Sequence, residues 1–185
     1  MQDANWESGL GTVYDDRLGD SHLFVSPPVE GWTFVVGLSL PAPVGDRFVD
    51  KAMPLIVRLA TSFPDVQYFF SYPLIDFYAW ARAVDGRLVR AFAIGENGVM
   101  WNQGRTTQQE RSLGLRLFEL RGVRGRRGDA GGELVLYPTE THVIELAAMW
   151  GIDPTRIDSR PVQPALGAVG IAPLAWRPER RRQAA

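Results

Sequence analysis

Cysteine is absent from this 185-residue chain, and that absence excludes a disulfide framework, a thiolate metal site and a cysteine nucleophile together. Histidine is scarce: only His22 and His142 are present, far apart in the chain. Lysine is scarcer still, since Lys51 is the one lysine among twenty basic residues. Long hydrophobic runs are missing too. The longest weakly apolar stretch, Pro164 to Trp176, is broken by proline and glycine and is too short to span a bilayer. The opening Met1-Gln-Asp-Ala-Asn-Trp-Glu7 has neither a basic nor an apolar region of the kind a signal peptide needs. With no cysteine and no leader, a cytoplasmic protein is expected, without a membrane partner.

Motifs of phosphate and acyl chemistry are missing as well. The chain has no G-x-G-x-x-G, no G-x-x-x-x-G-K-[ST] and no G-x-S-x-G. His142 and Glu145 stand at i, i+3 on one helix face, but no second copy of the pair exists, so they read as an exposed polar stripe. No metal and no cofactor are expected. Asp15, Asp16, Asp76, Asp85, Glu96 and Glu140 could supply an acid and a base. Nothing in their spacing brings two of them together, and Asp15, Asp16 and Asp85 read as turn residues.

What is present is ordinary globular material, 45% apolar and 22% charged, with twenty aromatics to fill a core. Net charge is −1, unevenly spread. Arginine is concentrated in Arg121–Arg127 and Arg177–Arg182, leaving an acidic body that repels phosphate backbones and attracts cationic partners. The aromatics that a single-strand binder would need lie in the acidic half, so nucleic acid is not expected as a partner.

Glycine and proline punctuate the chain densely and favour many short elements. Thr12–Tyr14 and Leu23–Val25 read as brief strands, and Trp32–Val36 as a strand buried on both faces. Phe48, Ala52, Leu55, Leu59 and Phe63 share a helical face with Asp46 as N-cap; Pro54 either kinks that helix or starts it. Val66–Phe70 reads as a strand. Phe77–Val84 and Arg87–Ile94 flank Asp85-Gly86, the dipeptide of a two-residue type I′ turn. The simplest register sets Trp80 opposite Ala91, Ala79 opposite Phe92 and Arg82 opposite Val89, large against small. Asn97-Gly98 suggests a further turn into Val99–Trp101. Thr107-Gln-Gln-Glu110 is a capping box opening a helix to about Phe118. Residues 122–132 form a glycine-rich loop, Glu133–Tyr137 a short strand, and Thr139 caps a helix with Val143, Leu146, Ala147 and Trp150 on its buried face.

The expected fold is therefore α+β: a single domain with a mainly antiparallel twisted sheet and two principal helices packed on it. It spans residues 1–160 with a flexible Arg/Gly-rich loop at 121–132, followed by a Pro/Gly/Ala-rich arm and basic tail at 161–185. The hairpin face with Tyr78, Trp80, Arg82 and Arg87 carries the residue types that dominate interface hot spots, and Asp76, Glu96 and Trp101 extend it with an acidic rim. These seven residues are the candidate partner-binding surface, unless a helix covers Tyr78 and Trp80.

Gly31-Trp-Thr-Phe-Val-Val-Gly37, Asp65-Val-Gln-Tyr-Phe69, Trp80 to Arg90 and Glu140 to Pro154 resemble segments of an uncharacterised group of bacterial α+β proteins. In general character the chain is similar to the immunity proteins encoded beside secreted bacterial toxins. That resemblance implies a toxin encoded nearby as partner and steric occlusion as mechanism; it transfers no catalytic motif. The alternative is a small carboxylate-dependent hydrolase or transferase.

Overall fold

The computed structural model describes residues 1–41, 52–117, 120, 137–159 and 165–176. The strands are β1 (Gln2–Ala4), β2 (His22–Val25), β3 (Val35–Val36), β4 (Asp65–Tyr72), β5 (Phe77–Val84), β6 (Arg87–Gly95), β7 (Gly98–Gln103) and β8 (Gly167–Ile171). The helices are α1 (Trp6–Val13), α2 (Met53–Leu59), α3 (Gln108–Ser112) and α4 (Glu140–Trp150). The class is α+β, with antiparallel pairing throughout but in two four-stranded sheets rather than one. The chain divides into two compact units, Met1–Ala42 with Arg156–Ala185, and Pro43–Thr155.

In the first unit the strand order is β1-β8-β2-β3. Residues 165–176, expected within an extended arm, instead contain β8, which pairs with β1 on one side and β2 on the other. Its glycines allow the close approach: a Cβ on Gly167 would overlap the Val25 carbonyl oxygen. Thr12–Tyr14 is not a strand, because the helix α1 runs to Val13. Asn5 accepts from the Ser8 amide at 2.8 Å and Ser8 Oγ accepts from the Asn5 amide at 3.1 Å, a capping box that starts this helix despite its glycines. Gly9 then lies flat on the Phe24 ring, where any side chain would collide. Trp32–Val36 is an edge of alternating exposure, contributing only the two residues of β3 and not a strand buried on both faces. Ala4, Val13, Phe24 and Val169 form the core of this unit.

The second unit holds the sheet β4-β5-β6-β7. Pro54 lies in the first turn of α2, so it starts the helix rather than kinking it; Phe63 falls beyond the helix and is exposed. The helix α3 stops at Ser112, short of the expected Phe118, where Gly114 takes a positive φ of 75°. The proposed cap Asp46, the glycine-rich loop, residues 133–136 of the expected strand and the basic tail lie outside the described residues.

The Asp85-Gly86 turn forms as expected, with φ of 48° and 73°, and Val84 pairs with Arg87 and Ala83 with Leu88. Beyond that the simple register fails. A bulge leaves Val89 unopposed and sets Arg82 opposite Arg90, Ala81 opposite Ala91, Trp80 opposite Phe92 and Ala79 opposite Ala93. Large faces large and small faces small. The reason is the two sides of the sheet. On one, α4 and the segment through Leu115, Leu117 and Leu120 pack on Tyr78, Trp80, Phe92 and Ile94. On the other, Ile56 and Ala60 around α2 pack on Ala81, Ala83 and Ala91, while Ala52 packs with Phe77, Ala79 and Ala93. Without the bulge Phe92 and Ile94 would point to the alanine side. Burying each is worth about 1.5–3 kcal/mol, whereas the interrupted ladder forfeits about 0.5–1.5 kcal/mol for a lost hydrogen bond, so the bulged register wins. The bulge comes so close to Gly104 that only glycine fits there, since a Cβ would overlap the Val89 carbonyl oxygen.

Candidate functional site

The seven candidate partner-binding residues do not form one surface. Tyr78 and Trp80 are fully buried in the core beneath α4. This corrects their assignment as exposed anchors: the sheet has helices on both sides, so neither aromatic faces solvent. Trp101 pairs with Ala93 and packs, half-buried, over the alanine side, the opposite face from Trp80. Arg82 is engaged by Asp65, Nε to Oδ1 at 3.0 Å and Nη2 to Oδ2 at 2.7 Å, and its guanidinium lies 5.9 Å from the Trp150 ring. Arg87 is exposed beside the Asp85-Gly86 turn. Asp76 and Glu96 lie together at the other end of the sheet, flanking the paired residues Tyr78 and Ile94.

A polar cluster that the hairpin pattern concealed lies inside the unit. Arg90, 1% exposed, and Glu110, 0% exposed, form a buried ion pair. Arg90 Nε donates to both Glu110 oxygens at 2.7 and 2.9 Å, and Nη1 donates to Asn102 Oδ1 and to the carbonyls of Ala91 and Gln103 at 2.8–2.9 Å. Glu110 also accepts from Trp80 Nε1 at 2.8 Å and from the amide and hydroxyl of Thr107 at 2.6 and 2.8 Å. The carboxylate thus receives five hydrogen bonds, which use its lone pairs. It acts as a clamp joining α3 to β5 and β6, with no acceptor capacity left for moving a proton. Burial pulls the Arg90 guanidinium below its ordinary pKa, and the charge and hydrogen bonds of Glu110 pull it back up. Half of this cluster was visible as the capping box at Thr107; Arg90 was not, because the simple register sets it opposite Ala81 and the bulge that brings it opposite Arg82 has no sequence mark.

Asp15 and the two histidines have local partners. Asp15 Oδ1 accepts from the amides of Arg17 and Leu18 at 2.8 and 3.0 Å. His22 Nδ1 lies 2.9 Å from Ser21 Oγ and 3.0 Å from the Leu18 carbonyl. His142 is not simply part of an exposed stripe: its Nδ1 accepts from the Thr139 amide at 3.0 Å and lies 2.8 Å from the Thr139 hydroxyl, closing the N-terminus of α4. Burial pushes His142 below its usual pKa, against the opposing charge of Glu145. Among the described residues no group of three His, Asp or Glu side chains could hold a metal ion. No described helix is long and apolar enough to cross a membrane.

Among the described residues of this unit, the most exposed large apolar side chain, Leu74, lies at the end of the sheet that carries Asp76 and Glu96. Between β4 and β5 the chain makes a 3-10 turn, Pro73–Ile75, closed by Asp76 in the left-handed region at φ 47°. Leu74 is 84% exposed, and Tyr72, Ile75 and Met100 are exposed as well. Three carboxylates border it. Asp76 ends the turn, Glu96 sits in the β6–β7 turn, and Glu140 accepts from Ser71 Oγ at 3.0 Å. The Tyr137 hydroxyl ties the two turns together, donating to the Gly95 carbonyl at 3.1 Å with the Asp76 carbonyl at 3.5 Å. Asp76 and Glu96 were legible as an acidic rim. Leu74 and Ile75 were not, because a short apolar stretch between strands reads as core. Comparison with protein-family models, curated proteins and solved structures finds no match to this chain.

Proposed function

We propose that this chain is a protein-binding module, most concretely an immunity-type inhibitor that occludes the active site of a bacterial toxin. The observation that supports this reading is the Leu74 turn: a large apolar side chain held out from the sheet on a backbone fixed by Pro73 and by the left-handed Asp76. A turn of that kind loses little conformational freedom on binding, and so keeps more of the energy of its apolar contacts. Leu74 and Ile75 fill a pocket on the partner; Asp76, Glu96 and Glu140 meet its basic cleft and speed association. Blockage is steric, with carboxylates standing where a substrate's phosphates would lie.

The test begins by isolating the tagged protein from its source cells and identifying what elutes with it. Expected are one stoichiometric partner and suppression of that partner's activity by the purified protein. Leu74→Asp should weaken the complex at least about tenfold with melting unchanged, as a central anchor would. A Leu74→Asp protein that binds as wild type, or a protein that elutes alone, overturns the reading.

A further inference from the structure

The strand β4 is an edge unlike the others. It pairs with β5 along all eight residues without a register break, and among the described residues no strand pairs with its outer side. Natural edges are normally blunted by shortness, bulges, proline or lysine. The edge β3 has two residues and β1 three, and the pairing that holds β7 is broken by a bulge at Ala93/Ile94. No such device occurs within β4, whose only charge, Asp65, is engaged by Arg82.

The sequence of this strand is also self-complementary. A two-fold axis through Phe69, normal to the sheet, sets Tyr68 against Phe70 of a second copy, Gln67 against Ser71, and Val66 against Tyr72. Apolar residues meet apolar ones and polar meet polar, and each pair shares a face because its members are an even number of residues apart. The ladder ends beyond Tyr72 at Pro73, which has no amide to donate. The flank of α4 above this edge agrees. Ser71 on β4 bonds Glu140, which identifies that flank, and one helical turn and two turns along it come Ile144 and Ala148, both half-buried. The opposite flank carries Met149, which contacts Ser112 Oγ at 3.8 Å beside α3.

We propose that two copies of this chain associate through β4, antiparallel about Phe69, into one eight-stranded sheet with α4 meeting α4 across the axis. The association is isologous and closes at two. It adjoins the Leu74 turn and shares Tyr72 and Glu140 with the border of that site, but it does not use Leu74, so Leu74→Asp tests binding at the turn and leaves the dimer in place.

Sedimentation velocity of the full chain over a range of concentrations tests the proposal, with two double variants that alter the same positions. Gln67→Lys with Ser71→Lys places like charges opposite each other twice and should raise the dimer dissociation constant at least about tenfold. Gln67→Glu with Ser71→Lys places opposite charges there and should keep the dimer. Melting curves establish that both variants fold. A dimer equally sensitive or equally insensitive to the two variants overturns the proposed register. A wild-type monomer overturns the association itself, and slow amide exchange along the outer side of β4 in that monomer would assign the edge to a segment of the same chain.

Discussion

The two faces of the β4–β7 sheet meet their helices with opposite materials. Under α4 the sheet presents Tyr78, Trp80, Phe92 and Ile94, together with the ion pair of Arg90 and Glu110. Under α2 it presents Ala79, Ala81, Ala83, Ala91 and Ala93 on its two central strands, with Phe77, Tyr68, Phe70 and Trp101 around them. On the first face large side chains of the two central strands fill the space and surround a buried charge pair; on the second those strands contribute alanines, and Ile56, Tyr68 and Trp101 from neighbouring elements fill the space around them. Both arise from the same two strands, and the bulge at Val89 sorts residues between them. It also explains how Arg82 and Arg90 can stand opposite each other: each has its own carboxylate, Asp65 and Glu110, so the like charges are separately neutralised.

Exchanging the two materials at neighbouring positions, Ala91→Phe with Phe92→Ala, should break the contrast most completely. The change empties space under α4, at about 3–5 kcal/mol, and overfills the alanine side under α2, at about 1–3 kcal/mol more. Urea denaturation measures the sum, and a double variant as stable as wild type would show that the two faces accept either material.

Glu110→Ala comes next. It leaves the Arg90 guanidinium buried and uncompensated and removes the cap of α3, at a cost of about 3–5 kcal/mol in urea denaturation. Arg90→Met combined with Glu110→Leu should recover much of that loss, because neither charge is then left alone in the core. Equal destabilisation by the single and the double change would indicate that shape, not charge, dominates the site.

The smallest expected effect concerns the start of α4. The pKa of His142 is lowered in the folded protein, so as pH falls through the ordinary histidine range the unfolded chain takes up the proton first. Stability should therefore be fully present above that range and decline below it, by about 1 kcal/mol or less, the size of a helix cap. Melting at pH 7.5 and 5.5 measures this, and His142→Gln, which keeps an acceptor at the same position, should flatten the difference.

How much of this was legible in the sequence depends on how local each signal was. The Asp85-Gly86 turn, the capping box at Thr107 and the buried stripe of α4 are local patterns, and each formed where its residues indicated. The register of the hairpin was not readable, since turn chemistry dictates only the first two rungs and the bulge answers to packing on both faces. Complementarity of size across the rungs was a misleading guide, because neighbouring strands gain more by matching the layer above them than by alternating large with small. The strand β8 was hidden by composition: glycine and alanine usually signal loops, but here they permit close approach to Val25. For the candidate site, the acidic rim was readable and its apolar centre was not.

Glu110 also implies an order of events as the chain folds. A helix of five residues cannot hold itself together in water, and α3 owes its existence to a carboxylate whose partners lie on two strands earlier in the chain. Those partners converge only once β5 and β6 are paired past the bulge. Residues 107–112 should therefore be among the last of the second unit to take shape and among the first to let go, and their release would open the aromatic core from that side.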